Sequence, residues 1–227
     1  MDLLLTAPRQ AVSRIALQDQ VYEILKERVL DRAYEPQTKL NIDALARELK
    51  VSSSPVREAL GRLSAEGLVR AEPFVGFAIA AIPSRAYYDQ LYALRLVIEP
   101  WAASETARRR PSAAIEELEA SAGAMGEGKL ERRYHRFRGY SEADEAFHRA
   151  IIAGTGNEPA IKAYGDLRIH LHLSRLYINR EQDTAASHRE HLAILDAIRS
   201  GEAEQAAARM RDHLVASKAK LLDEPSD

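Results

Sequence analysis

The sequence predicts a mainly α protein: an N-terminal winged helix-turn-helix, three helices plus a β-hairpin, and then a C-terminal all-α antiparallel helical bundle. Three observations predict it. Apolar residues with helical three–four spacing begin at Leu17 and recur, with breaks, to the end of the chain. One stretch, Leu68 to Ile82, changes to strand character around Pro73-Phe74-Val75-Gly76. Pro83-Ser84 then marks the passage to a purely helical half.

The elements follow in order. Residues 1–14 mix apolar, Pro and basic residues without a period and are expected to form a flexible arm. Leu17, Val21, Ile24, Leu25, Arg28 and Val29 define a helix that runs to about Arg32, where Tyr34-Glu35-Pro36-Gln37 breaks it. A short helix from Ile42 to Leu49 has Asn41 as its N-cap. A third is expected from about Pro55 to Glu66, with Pro in its first turn, a preceding Ser as cap and Gly67 just past its end. Its inner face, Val56, Leu60 and Leu63, is expected to bury against Leu45, Leu49 and Ile24. Leu68–Glu72 and Gly76–Ala80 are the strands of the wing. After Ser84 the expected helices are 85–110, 112–126, 129–154, 157–180, 184–200 and 202–222, separated by Pro111, Gly126/Gly128, Gly154/Gly156, Asp183 and Gly201. The expected domains are therefore 15–83 and 84–222, with a tail at 223–227.

Composition narrows the function. The 227 residues, 46% hydrophobic, suffice for two domains with cores. With no Cys there is neither a disulfide framework nor a thiolate metal site. Apolar runs are too short to span a membrane, and Met1 to Leu5 lacks the basic flank of a signal peptide, so a cytoplasmic protein is expected. Residues 1–83 hold 11 Lys+Arg and 11 Asp+Glu, net zero; residues 84–227 hold 21 and 23, net −2. A nucleic-acid partner must be met by locally placed cations, because no bulk basic excess exists.

The third helix supplies such placement. Its outer face offers Arg57, Glu58, Gly61 and Arg62, and Arg57 lies in the first turn, where a guanidinium reaches base edges or phosphate. Ser52, Ser53 and Ser54 put hydroxyls and backbone N–H groups at a helix N-terminus, a seat for phosphate. The competing reading pairs Arg57 with Glu58 or Glu48.

A second constellation lies in the rear half. Asp144 and His148, spaced i,i+4, share a helix face. His191 and His213 flank the turn at Ser200-Gly201 at similar distances, so at about 1.5 Å rise per residue they reach similar heights. Three imidazoles and a carboxylate suit Zn²⁺, with Ni or Mn as alternatives, and leave positions open for water or a ligand. The competing reading makes these ordinary polar groups of a bundle. His135, His170 and His172 are assigned to that ordinary role, and His188 is the reserve ligand.

Leu40-Asn41-Ile42-Asp43-Ala44-Leu45-Ala46, Val51 to Leu60, Arg62-Leu63 and Glu66-Gly67-Leu68-Val69 together resemble the N-terminal signature of the GntR transcription regulators. The resemblance implies that Arg57 contacts DNA and that Gly76 sits at the wing tip near the minor groove. The chain departs from it at Ser53 and Val75, where the family usually or often has Arg. Each departure removes a cation and weakens salt-dependent binding. Asp144 to His148, Gly156-Asn157, Glu190 to Ile198 and Met210 to Leu214 resemble the FCD effector-binding domain of the FadR-type branch. That resemblance implies an Asp and three His around a metal, filled here by Asp144, His148, His191 and His213. It places Leu94 to Glu99 on the domain's first helix, with Arg95 facing either an effector carboxylate or Glu99. The expected protein is a homodimeric repressor that reads a palindromic operator in double-stranded DNA and is controlled by a small carboxylate effector. A metal-dependent enzyme using the same site and a dimeric scaffold without DNA binding are the alternatives.

Overall fold

A computed structural model describes residues 14–73, 75–126, 129–130, 134–177 and 182–223. The expected arm lies outside them except for Arg14, and so does most of the expected tail. The chain divides into two compact units, Met1–Ala81 and Ile82–Asp227.

The first unit is a winged helix-turn-helix. Helix α1 (Arg14–Leu30) buries Val21, Tyr22, Leu25, Val29 and Leu30. Helix α2 (Ile42–Leu49) starts at Asn41, whose Oδ1 accepts the Ala44 N–H at 2.9 Å. Such a cap contributes about 1 kcal/mol. Helix α3 spans Ser53–Ala65, two residues longer at its start than expected. Ser52 occupies the N-cap position but makes no capping bond, so the expected serine cap is not formed. Gly67 has φ 77°, the left-handed conformation that ends the helix. Val56, Leu60 and Leu63 are fully buried, as their spacing requires. Their expected neighbour Ile24 is instead 40% exposed. It stands one residue, about 100° of helix, away from Leu25, and the face of α1 that turns inward is that of Val21 and Leu25.

The wing is formed by β2 (Val69–Glu72) and β3 (Gly76–Ile79), antiparallel with Val69 opposite Ile79 and Glu72 opposite Gly76. A two-residue strand, β1 (Lys39–Leu40), pairs with the other edge of β3, giving the order β1-β3-β2.

Among its described residues the regular structure of the second unit is helical apart from one two-residue ladder. Helix α4 (Arg85–Arg109) is capped by Ser84, whose Oγ accepts the Tyr87 N–H. Then come α5 (Ser112–Met125), α6 (Tyr134–Gly154), α7 (Glu158–Asp166), α8 (Ile169–Tyr177), α9 (Ala185–Ser200) and α10 (Ala203–Lys218), which continues into a wider turn, Ala219–Asp223. Two expectations need correction. Residues 129–130 open no helix; they form β4 (Lys129–Leu130), antiparallel to β5 (Gln182–Asp183). The single helix expected over 157–180 is two, because Arg168 takes φ 46° and interrupts the ladder. Helix α4 packs chiefly on α10 and α6, and α5 on α6, around Tyr92, Leu118, Phe147, Ile151, Ile198 and Leu214.

Candidate metal centre and nucleic-acid interface

His148 on α6, His191 on α9 and His213 on α10 are all buried, and each offers a ring nitrogen within 4.8 Å of the others. The turn that makes this possible centres on Gly201, whose φ of 77° sends α10 back along α9. Asp144, one turn before His148, joins them. Its Oδ1 lies 3.2 Å from His191 Nε2 and 3.9 Å from His148 Nε2, and the two Nε2 atoms are 3.5 Å apart. Ligands at about 2.0–2.1 Å from a first-row ion are separated by about 3.0–3.4 Å; the 3.2 and 3.5 Å separations are close to that range and the 3.9 Å one is wider. Nitrogen and carboxylate oxygen suit Zn²⁺, Ni²⁺ or Mn²⁺.

The surrounding hydrogen bonds orient the donors. His148 Nδ1 donates to Glu99 Oε2 at 2.7 Å, and His213 Nδ1 donates to Glu190 Oε2 at 2.8 Å, leaving each Nε2 with its lone pair. His170 Nδ1 lies 3.0 Å from Asp144 Oδ2, which leaves Oδ1 to face His191. Carboxylate–imidazole pairs of this kind fix tautomer and ring orientation in metal sites.

Electrostatics favour the ligating protonation states. Burial, then the neighbouring His213, holds His191 well below its ordinary value. Burial, then His148, lowers His213 to about 3, and Arg95 adds to the effect. Both rings are neutral at pH 7, as metal ligation requires. Burial works to raise Asp144, but the His170 hydrogen bond and the surrounding imidazoles of His148, His170 and His191 outweigh it and hold the carboxyl well below its usual range.

Arg95 realises the second of its two expected roles. Its Nε and Nη2 donate to Glu99 at 2.6 and 3.3 Å, and both residues are buried. Among the described residues the guanidinium makes no other hydrogen bond. Glu99 is held below the usual carboxylate range although burial works against it, because Arg95 and then His148 stabilise its charge. His188 stays outside the histidine group, and its Nδ1 is buried without a hydrogen-bond partner. His172 likewise lies outside it, against Tyr87. The side chain of His135 lies outside the described residues.

Sequence reasoning missed His170, Glu190 and Tyr164, and cast Glu99 only as a partner for Arg95. Glu190 had a signal, standing beside His191 in the FCD-like segment. His170 had none, because the helix break that aims it toward Asp144 is marked by no Gly or Pro at 167–168.

In the first unit, Arg57 is exposed and, among the described residues, makes no hydrogen bond or ion pair. The pairings weighed against a DNA role are not made: Glu48 holds Arg28 at 2.8 Å and Glu58 accepts from Gln18 at 2.5 Å. With Ile42, Glu72, Gly76 and Phe77, Arg57 lines an open hollow of about 560 Å³ between α3 and the wing. Arg62 is engaged otherwise, 2.6 Å from Asp19 Oδ1 and stacked over Tyr22 at 3.8 Å. Ser52 and Ser54 are exposed and Ser53 half-buried at the start of α3, beside N–H groups that have no partner within the helix. Gly76 opens β3 with φ 119°, and Val75 beside it is 58% exposed.

A three-helix head with a β wing, followed by a helical unit holding a buried histidine cluster, is the architecture of a transcription regulator. Residues 90–216 match the family model of the FCD domain, and residues 17–79 that of the bacterial regulatory proteins of the gntR family. The chain belongs to the GntR family and carries an FCD domain. An uncharacterized HTH-type transcriptional regulator in an unstable DNA locus of Streptomyces ambofaciens is 28% identical over 195 residues, covering 86% of this chain and 80% of that one. The gluconate operon transcriptional repressor of Bacillus licheniformis is 26% identical over 161 residues, covering 71% and 64%. Among solved structures, E. coli McbR/YncC shares the fold, with TM-score 0.64, 18% identity, and coverage of 91% of this chain and 97% of that one. No helix among the described residues is long and apolar enough to cross a membrane.

Proposed function

We propose that this regulator is a cytoplasmic, homodimeric repressor of the FadR type whose operator binding is released by a small carboxylate effector held beside a divalent metal in the FCD unit. The observation that carries the reading is the convergence of Asp144, His148, His191 and His213 in one buried cluster, with Arg95 alongside. A bound metal would supply a Lewis-acidic seat for a carboxylate. Arg95, still holding free N–H groups, would orient that carboxylate. On the DNA side, Arg57, the three serines and Gly76 form the contact surface, with Arg62 at its margin.

What favours a receptor over a metal-dependent enzyme is the use made of the acids. Glu99, Glu190 and Asp144 each hold a histidine, so none of them stands free as a general base. A ligand must also distinguish two arrangements of the protein to act, because equal affinity for both shifts nothing.

The test is elemental analysis with native mass spectrometry of the gently purified protein. One first-row metal per chain is expected, together with a retained small acid. Absence of metal, with His148→Ala and His191→Ala leaving acid affinity unchanged, overturns the sensing half. Failure of the folded protein to shift DNA from upstream of its own gene overturns the other half and favours the scaffold alternative.

A further inference from the structure

We propose that Glu99 is the positioning residue of the FCD pocket, one carboxylate that sets both the nitrogen His148 offers to a metal and the edge of Arg95 left for an acid. The proposal rests on the metal-and-acid reading above and assigns the residue that couples its two halves.

Glu99 is 1% exposed on α4 and is saturated. Its Oε1 accepts from Arg95 Nε at 2.6 Å and from Tyr164 Oη at 3.0 Å. Its Oε2 accepts from His148 Nδ1 at 2.7 Å and from Arg95 Nη2 at 3.3 Å. A carboxylate has about four lone-pair sites, so none remains to ligate anything else. An anion facing Nδ1 keeps the proton on that nitrogen, and Nε2 is left with its lone pair. The same anion ties one edge of the guanidinium, Nε with one Nη2 proton. The end-on edge, Nη1 and the second Nη2 proton, is free for a bidentate carboxylate.

A simpler role exists: Glu99 neutralises a buried arginine and does no more. The two roles separate in what they do to His148. The first measurement is the tautomer of His148 in the metal-free wild-type protein, read from long-range imidazole ¹H–¹⁵N spectra. The Nδ1–H form is expected, and the Nε2–H form overturns the proposal. The second is zinc affinity by chelator competition, with zinc alone as the probe, for wild type, Glu99→Gln and Tyr164→Phe. Glu99→Gln is expected to bind zinc about 10–100-fold more weakly, while Tyr164→Phe, which leaves the charge in place, stays within about threefold. Equal zinc affinity in folded Glu99→Gln overturns the proposal alone. A wild type that binds no zinc overturns this proposal and the reading beneath it together. Should Glu99→Gln fail to fold, the wild-type tautomer decides.

Discussion

At Arg57 an exposed guanidinium in the second turn of α3 is paired with no acid among the described residues, although Glu48 and Glu58 were both within sequence reach. Arg57→Ala is therefore expected to leave thermal stability unchanged and to weaken binding to DNA upstream of the gene. The loss is about 1–3 kcal/mol, roughly 5–150-fold, by fluorescence anisotropy at fixed salt; a change under about twofold would remove Arg57 from the interface. His213 gives the pH dependence at this scale. Its folded value, about 3, lies below the ordinary 6.5, so its contribution is complete above pH 6.5 and is lost as pH falls toward 3. Below 6.5 the unfolded chain binds the extra proton. Urea denaturation of the metal-free protein is expected to show stability falling by about 1.4 kcal/mol per pH unit from this residue, and His213→Gln to have the shallower slope between pH 6 and 5. For the four inner residues spacing offered only a possibility; the resemblance of their segments to the FCD domain singled them out. His170, Glu190 and Tyr164 were not legible, because their contacts depend on the rotational phase of helices packed from elsewhere.

Among the elements, α4 and α6 pack closely where Gly154 meets Thr106. A Cβ on Gly154 would meet Thr106 Cγ2 and, at 2.7 Å, its Oγ1, which already donates to the Ile151 carbonyl at 2.7 Å. Gly154→Ala is expected to cost about 1–3 kcal/mol in urea denaturation, and Thr106→Ala in the same chain to recover part of it. Gly154 could be read from sequence only as a helix end; its second role needs the neighbour. The same holds for the other elements. Long helices bounded by Pro or Gly, such as α4 before Pro111 and α9 and α10 on either side of Gly201, were placed within a few residues. The break at Arg168 and the two-residue strands β1, β4 and β5 were not, since two residues carry no period and a left-handed arginine carries no punctuation. Ile24 failed for a related reason: in α1 apolar residues outnumber the positions that face inward, so pattern alone does not choose between neighbours.

For the molecule as a whole, α4 has two contrasting sides. Arg95 and Glu99 are buried on one, while Leu94, Val97 and Trp101 stand 39%, 70% and 42% exposed on the other. An apolar stripe of that kind is the surface expected to be covered in the proposed homodimer. Val97→Glu is expected to weaken self-association at least about tenfold in sedimentation equilibrium without lowering zinc affinity; an unchanged dimer constant would place the dimer contact elsewhere.

The inner donors and the groups that hold them come from α4, α6, α8, α9 and α10, separated by more than a hundred residues of chain. An ion seated there would be a cross-brace, tying α6, α9 and α10 together at one point. Occupancy then reports on the integrity of the entire bundle: fraying of any one of those helices would eject the ion, and saturating it would hold all of them, by about 4 kcal/mol at a thousandfold excess over the dissociation constant.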